Sequence, residues 1–192
     1  MPDAAYTYIV VLMKGLTSNE WQSGDATAFQ VLFQQYKNLV FKIAYLITGS
    51  REEAEDILQE VFVVVWEFRH TYNPHKGKLA TWLRKITVNK CLESKRRKRV
   101  PFIHLEGTDT PETRFTDEIL VSKQEYERLI EAMNSLDTKH RAVLVLRYFN
   151  DLSYEEIAQT VGIPLGTVKS RIHHGLKLLR GKFDMQKREI LE

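Results

Sequence analysis

Apolar residues recur along this chain at helical spacing, in blocks separated by Gly, Pro and Asn. From Asp25 to Thr48, Phe29, Leu32, Phe33, Tyr36, Leu39, Val40, Ile43 and Ile47 follow the 3.6-residue period of a helix with one buried face, and Gly49 ends the run. Ser50 with Glu53 three residues on reads as a capping box. It opens a second helix in which Ala54, Ile57, Leu58, Val61, Phe62 and Val65 face inward. Asn73-Pro74 breaks the pattern, NPHKGK (Asn73 to Lys78) is a short basic loop, and a third helix carries Leu79, Trp82, Leu83, Ile86 and Leu92 on its apolar face. Between Val100 and Glu118 the period vanishes among Pro101, Gly107, Pro111 and four threonines, the composition of a flexible linker. Helical spacing then resumes with Tyr126, Leu129, Ile130 and Met133, and again with Ala142, Val143, Leu146 and Phe149.

The last block carries the most specific pattern. Ser153 and Glu156 form another capping box, so a helix begins near Tyr154. Ile157, Ala158 and Val161 keep its spacing, and Gly162 can take the left-handed conformation that ends it. Pro164 suits the first position of a second helix, whose inward stripe is read as Leu165, Val168, Ile172, Leu176 and Leu179. Two helices across a Val161–Ile163 turn predict a helix-turn-helix. Its outward face holds Gly166, Thr167, Lys169, Ser170, His173, His174 and Lys177 with Arg171 on the flank, donors suited to base edges and phosphates in a major groove. A plain αα-hairpin with solvated charges is the alternative that periodicity alone leaves open.

The whole pattern predicts an all-α protein of two small helical domains joined by a flexible linker, the C-terminal one a helix-turn-helix. Residues 21–100 form the first domain, 101–121 the linker and 122–186 the second; residues 1–20 are an N-terminal extension without assignment. The apolar run Tyr6 to Met13 in that extension is too short to span a bilayer and lacks the basic flank of a signal peptide. The single cysteine, Cys91, excludes an internal disulfide framework, reads as a small buried thiol and fits a reducing cytosol.

The net charge of +3 says little, but its distribution says more. Residues 1–70 hold five Lys/Arg against nine Asp/Glu, a balance of −4, whereas residues 84–99 hold eight against one, or +7. Residues 101–132 hold three against eight, or −5, and residues 138–188 ten against four, or +6. Two basic blocks flanking an acidic one predict two polyanion-binding surfaces. Around the first, the loop cations Lys76 and Lys78 precede a helix carrying Trp82, Asn89, Lys95, Arg96 and Arg97, with Phe68 and Tyr72 nearby in sequence: charge for the phosphates of a single strand, flat or amide groups for its bases, although Trp82 also reads as partly core. The acidic residues have a pattern too. Glu52, Asp56 and Glu60 stack at i, i+4 spacing with Gln59 beside them, although like charges so placed repel by a few tenths of a kcal/mol per pair. A solvated face, a carboxylate metal site and a docking face for a basic partner all remain open, the metal site weakened by the lack of a His at i+3.

PLGTVKSRI, with Pro164, Gly166, Thr167, Val168, Lys169, Ser170, Arg171 and Ile172, resembles the recognition helix of bacterial RNA polymerase sigma factors of the extracytoplasmic-function type. LDTKHRAVLVLRYFNDLSYEEIA (Leu136 to Ala158) resembles the rest of their promoter-reading domain, and EEAEDILQEVFVVVWEF the helix that docks on the polymerase clamp. KGKLATWLRKITVNKCLESKRRKR resembles the segment that melts and reads the proximal promoter element. The resemblance implies core polymerase binding by Asp56, Gln59 and Glu60. It implies melting and single-strand binding by Lys76, Lys78, Trp82, Asn89, Lys95, Arg96 and Arg97, and duplex recognition by Gly166, Thr167, Lys169, Ser170, Arg171 and His174. It further implies an anti-sigma partner, a cytoplasmic location, and neither catalysis nor a cofactor.

Two rival classes follow from the residues themselves. A helix-turn-helix regulator without polymerase docking would need a dimer interface or an effector pocket, and the acidic helix has no place in it. A DNA-cleaving enzyme would need carboxylates clustered in a cleft or a nucleophile beside arginines, whereas these carboxylates lie along one helix face.

Overall fold

The computed structural model describes residues 18–97 and 123–189, and every regular element in them is helical. The expected linker, most of the N-terminal extension, and Lys98 and Arg99 of the basic tract lie outside the described residues. The elements are α1 (Ser18–Gln22), α2 (Ala26–Thr48), α3 (Arg51–Glu67), α4 (Leu79–Arg97), α5 (Lys123–Asn134), α6 (Thr138–Leu144, continued by a π-helical turn Val145–Phe149), α7 (Tyr154–Val161) and α8 (Leu165–Glu189). Two 3-10 turns, Arg69–Thr71 and Pro74–Lys76, join α3 to α4.

Local chemistry sets most boundaries. Asp25 caps α2 by accepting from the backbone N–H of Thr27 (2.7 Å) and Ala28 (3.1 Å), and Gly49 ends it at φ 75°. The expected capping box on α3 is only half made. Ser50 Oγ accepts from Glu53 N–H at 3.3 Å, but the Ser50 N–H donates to Thr48 Oγ1 and the Glu53 carboxylate turns into the protein. Pro164 likewise sits one residue before its expected place: α8 starts at Leu165, and the Pro164 carbonyl accepts from Thr167 and Val168.

Helices α2, α3 and α4 pack against one another around Leu32, Val40, Ile43, Ile47, Ile57, Val61, Val65, Leu83 and Val88. Trp21 of α1, 1% exposed, seals one end through rings of Tyr72 (5.8 Å between centroids) and Trp82 (6.2 Å). Cys91 is fully buried, as read from the sequence, and burial pushes its thiol pKa well up, leaving it unreactive. In the second half, α6 and α7 pack on α8 around Val143, Leu144, Leu146, Ile157, Val168, Ile172 and Leu179.

The inward stripe of α8 differs from expectation at one position. Leu176 is 41% exposed, and Gly175 is the buried residue, facing Leu144. Counting from Ile172 along a 3.6-residue period, position 175 or 176 can face inward, and the close approach of α6 admits only the residue without a side chain.

The two halves share one hydrophobic core. Residues 43–48 of α2 are buried on every side of the helix, because α6 and its π-helical turn cover the flank that α3 and α4 leave open. Helix α4 in turn packs against α7, where Arg84 Nε donates to Asn150 Oδ1 at 3.2 Å.

Candidate nucleic-acid and partner interfaces

The helix-turn-helix forms with the cap and the Gly162 turn that the sequence specifies. Ser153 Oγ accepts from Glu156 N–H at 3.1 Å while Glu156 Oε2 accepts from Ser153 N–H at 2.8 Å, the two halves of a capping box. Those bonds to Ser153 hold the Glu156 carboxyl below the usual range, with Arg84 adding to the effect. Gly162 turns the chain at φ 71°, its N–H donating to Ala158. Along α8, Gly166, Lys169, Ser170, His173 and His174 are exposed, with Thr167 and Arg171 half-buried. Ser170 Oγ donates to Thr167 O at 3.0 Å, which fixes the start of the outward face. The face therefore presents donors and small residues near the helix N-terminus, where an anion is favoured by the helix dipole.

His140, on α6 behind this face, lies beside His174, with 6.2 Å between ring centroids and the ring planes tilted by 32°. Burial chiefly, then Lys139, His174 and Arg171, hold its pKa below the ordinary histidine range against the opposing pull of Asp137.

The basic face of α4 is more heterogeneous than its composition suggests. Lys76, Lys78, Asn89, Arg96 and Arg97 are exposed. Trp82 is half-buried in the trio with Trp21 and Tyr72, so one side of its ring is packed. Lys95 pairs with the buried Glu53 at 3.4 Å, and Arg97 pairs with Glu93, whose carboxyl is thereby held low. Lys90 bridges Glu60 of α3 (3.1 Å) and Glu93 (3.7 Å).

On α3, Glu52, Asp56, Gln59 and Glu60 are exposed on one face. The Glu60–Lys90 pair relieves part of the like-charge repulsion along that face, a partner not visible in the i, i+4 spacing. Val63, 55% exposed, continues the same face and is not among the contact residues that the sequence pattern predicts. The signal was available, since Val63 falls between the inward positions Phe62 and Val65. Among the described residues, no group of three or more His, Cys, Asp or Glu could hold a metal ion, and no helix is long and apolar enough to cross a membrane.

The family model for Sigma-70 region 2 matches residues 32–100, and that for Sigma-70 region 4 matches residues 126–179. The chain is 36% identical over 167 residues to the ECF RNA polymerase sigma factor SigE of Mycolicibacterium smegmatis, covering 82% of this chain but only 63% of that relative. It is 30% identical over 170 residues to the ECF RNA polymerase sigma factor SigW of Bacillus subtilis, covering 83% of this chain and 90% of SigW. Among solved structures, the fold is similar to that of the sigma factor RpoE co-crystallised with the anti-sigma factor NepR from Bartonella quintana. There the TM-score is 0.65 at 21% identity, over 81% of this chain and 96% of that one.

Proposed function

Since the chain belongs to the extracytoplasmic-function (ECF) family of RNA polymerase sigma factors, we propose that it is a dissociable promoter-specificity subunit: it binds core RNA polymerase, opens the proximal promoter element, reads the upstream element and catalyses nothing itself. Residues 21–100 dock and melt, residues 101–121 link, and residues 122–186 read duplex. The observation that carries the reading is the conjunction, in one folded unit, of the exposed carboxylate face of α3 with the basic, aromatic-bearing α4, joined to a capped helix-turn-helix.

Each surface has a distinct task. Asp56, Gln59 and Glu60, extended by the apolar Val63, suit a basic helical element of the polymerase, with electrostatics favouring rapid encounter. Lys76, Lys78, Lys95, Arg96 and Arg97 neutralise the phosphates of one strand while Trp82 and Asn89 engage an unstacked base, so opening draws on binding energy and needs no hydrolysis. Gly166, Thr167, Lys169, Ser170, Arg171 and His174 enter the major groove of the upstream element. The cytoplasm is the compartment this work requires, and an anti-sigma protein is the fitting regulator.

Run-off transcription with core polymerase on a genomic library, followed by sequencing of the starts, tests the reading as a whole. Initiation from a defined promoter set only when the chain is added is the expected result; binding of a palindrome by a dimer of the chain, with no effect on core polymerase, would return it to the regulator class. Strand preference gives a second check. With core polymerase present, a non-template promoter strand should bind better than the matching duplex, and Arg96→Ala with Arg97→Ala should weaken it in a salt-dependent way.

A further inference from the structure

The segment that joins α3 to α4 carries the loop cations of the single-strand surface, and one buried residue anchors it. Between Phe68 and Lys78 every side chain is exposed or half-buried except that of Tyr72, 9% exposed. Beyond it Asn73 to Lys78 are all exposed, Lys76 and Lys78 among them. Two local bonds shape this stretch: Asn73 Oδ1 accepts from the His75 N–H at 2.9 Å, and the Tyr72 hydroxyl donates to Gly77 O at 3.2 Å. Where the loop sits on the domain is therefore set by what holds Tyr72.

Helix α1 holds it. Gln22 Nε2 donates to Tyr72 O at 2.7 Å and to Arg69 O at 3.0 Å, so one amide spans the 3-10 turn Arg69–Thr71 and uses both of its hydrogens. Trp21, 1% exposed, packs its ring against Tyr72 at 5.8 Å and Trp82 at 6.2 Å, and the Tyr72 and Trp82 rings lie 5.5 Å apart. One ring each from α1, the loop and α4 thus make a closed set. The α1 side of the clamp is itself fixed: the Gly24 N–H donates to Trp21 O at 3.2 Å and the Asp25 N–H to Glu20 O at 3.3 Å, just where the Asp25 cap starts α2. These contacts come from a helix of five residues that precedes the stretch matched by the Sigma-70 region 2 model, residues 32–100.

An exposed loop that becomes ordered only when a strand arrives loses part of the binding energy to its own ordering, whereas a loop already held does not. We propose that Trp21 and Gln22 are positioning residues for promoter opening: α1 clamps Tyr72 and so preorganises the loop from Asn73 to Lys78 to receive an unstacked strand. They act through Tyr72, and through Trp82 near the start of α4, without touching nucleic acid themselves. The inference rests on the sigma-factor reading for its consequence and on geometry alone for the clamp. Among the described residues, no side chain assigned to docking or duplex reading bonds to Trp21 or Gln22, so loosening the clamp should separate strand binding from those two tasks.

Two variants of the full-length chain, studied well below their thermal midpoints, test it. Gln22→Met keeps the side-chain length and removes both donors; Trp21→Phe keeps a ring in the core and shortens its reach to Trp82. In the free protein the amides of Thr71, Tyr72 and Lys76 are hydrogen-bonded within the segment. Their hydrogen exchange should quicken in Gln22→Met by about two- to tenfold for each hydrogen bond lost, while exchange in α8 stays as in the wild type. With core polymerase bound, affinity for a non-template promoter strand should fall by a similar factor, and the ratio between the preferred strand and its single-base variants should shrink. Co-purification with core polymerase and duplex binding should persist. A variant that had merely lost folded protein would weaken all strands alike and leave that ratio unchanged. Trp21→Phe should act in the same direction, and if it matches the wild type in every readout Trp21 is not part of the clamp. Unchanged exchange in Gln22→Met, or faster exchange with strand affinity and base ratio as in the wild type, overturns the proposal. If the wild-type chain with core polymerase shows no preference for the strand over duplex, the functional reading fails, while the exchange rates still report on the clamp.

Discussion

Replacing Gly175 by Ala isolates the contact that seats the recognition helix. Three glycines of α8 carry described surroundings, and they differ sharply. A Cβ on Gly166 or Gly181 meets nothing within 4 Å, whereas one on Gly175 lies 2.9 Å from Leu144 Cδ1, 3.3 Å from Leu144 Cγ and 3.7 Å from His140 Cβ. Leu144 is 2% exposed and enclosed by core residues, so it has little room to yield. Gly181→Ala therefore shows the helix-propensity gain alone, about 0.5 to 1 kcal/mol. Gly175→Ala sets that gain against an overpacking cost of about 1 to 3 kcal/mol, leaving it neutral to about 2 kcal/mol destabilised. The two variants should differ by about 1 to 3 kcal/mol, or roughly 2 to 12 °C in midpoint for a chain of this size. Urea and thermal unfolding followed by circular dichroism measure the difference. The same overlap shifts α8 away from α6, so Gly175→Ala should also lose duplex affinity while Gly181→Ala keeps it. Equal stabilisation by both substitutions would refute the reasoning, since it would mean that α8 is not held against Leu144.

Asp56→Lys with Glu60→Lys should abolish co-purification with core polymerase at unchanged helical content, because like charges placed against a basic partner cost several kcal/mol; retention on core would remove the acidic face from docking. Arg171→Ala should cost about 1 to 3 kcal/mol and relax preference at one base pair, whereas Lys169→Ala should weaken all sequences alike and flatten the salt dependence. Binding assays on a panel of single-base promoter variants distinguish the two. Stability should also fall as pH drops below about 6.5, the unfolded histidine value, because the folded chain holds His140 below its ordinary range and so takes up its proton less readily than the unfolded chain does. The contribution is complete above that pH and is lost as pH falls through the folded value. His140→Gln should flatten this part of the profile in thermal melts at a series of pH values.

The sequence by itself determined what local chemistry determines: helix existence from the 3.6-residue period, the cap at Ser153, the glycines that end helices at 49 and 162, and the outward donors of α8. Each depends on residues within a few positions of one another, so spacing is sufficient to read them. Tertiary structure decided the rest. Whether Gly175 or Leu176 faces inward depends on how closely α6 approaches, which no feature of α8 encodes. Glu53 leaves a capping role for a buried one because Ser94 and Lys95 arrive from forty residues along the chain. Glu60 appears on the sequence as one of three repelling carboxylates, yet Lys90 of α4 partners it. Ala44, Tyr45, Leu46 and Thr48 lie off the core stripe of α2 and are buried all the same, because the second half covers them. Periodicity reports that a face is apolar, but how many partners cover a helix, and which charges they bring, is fixed only when residues distant in sequence meet.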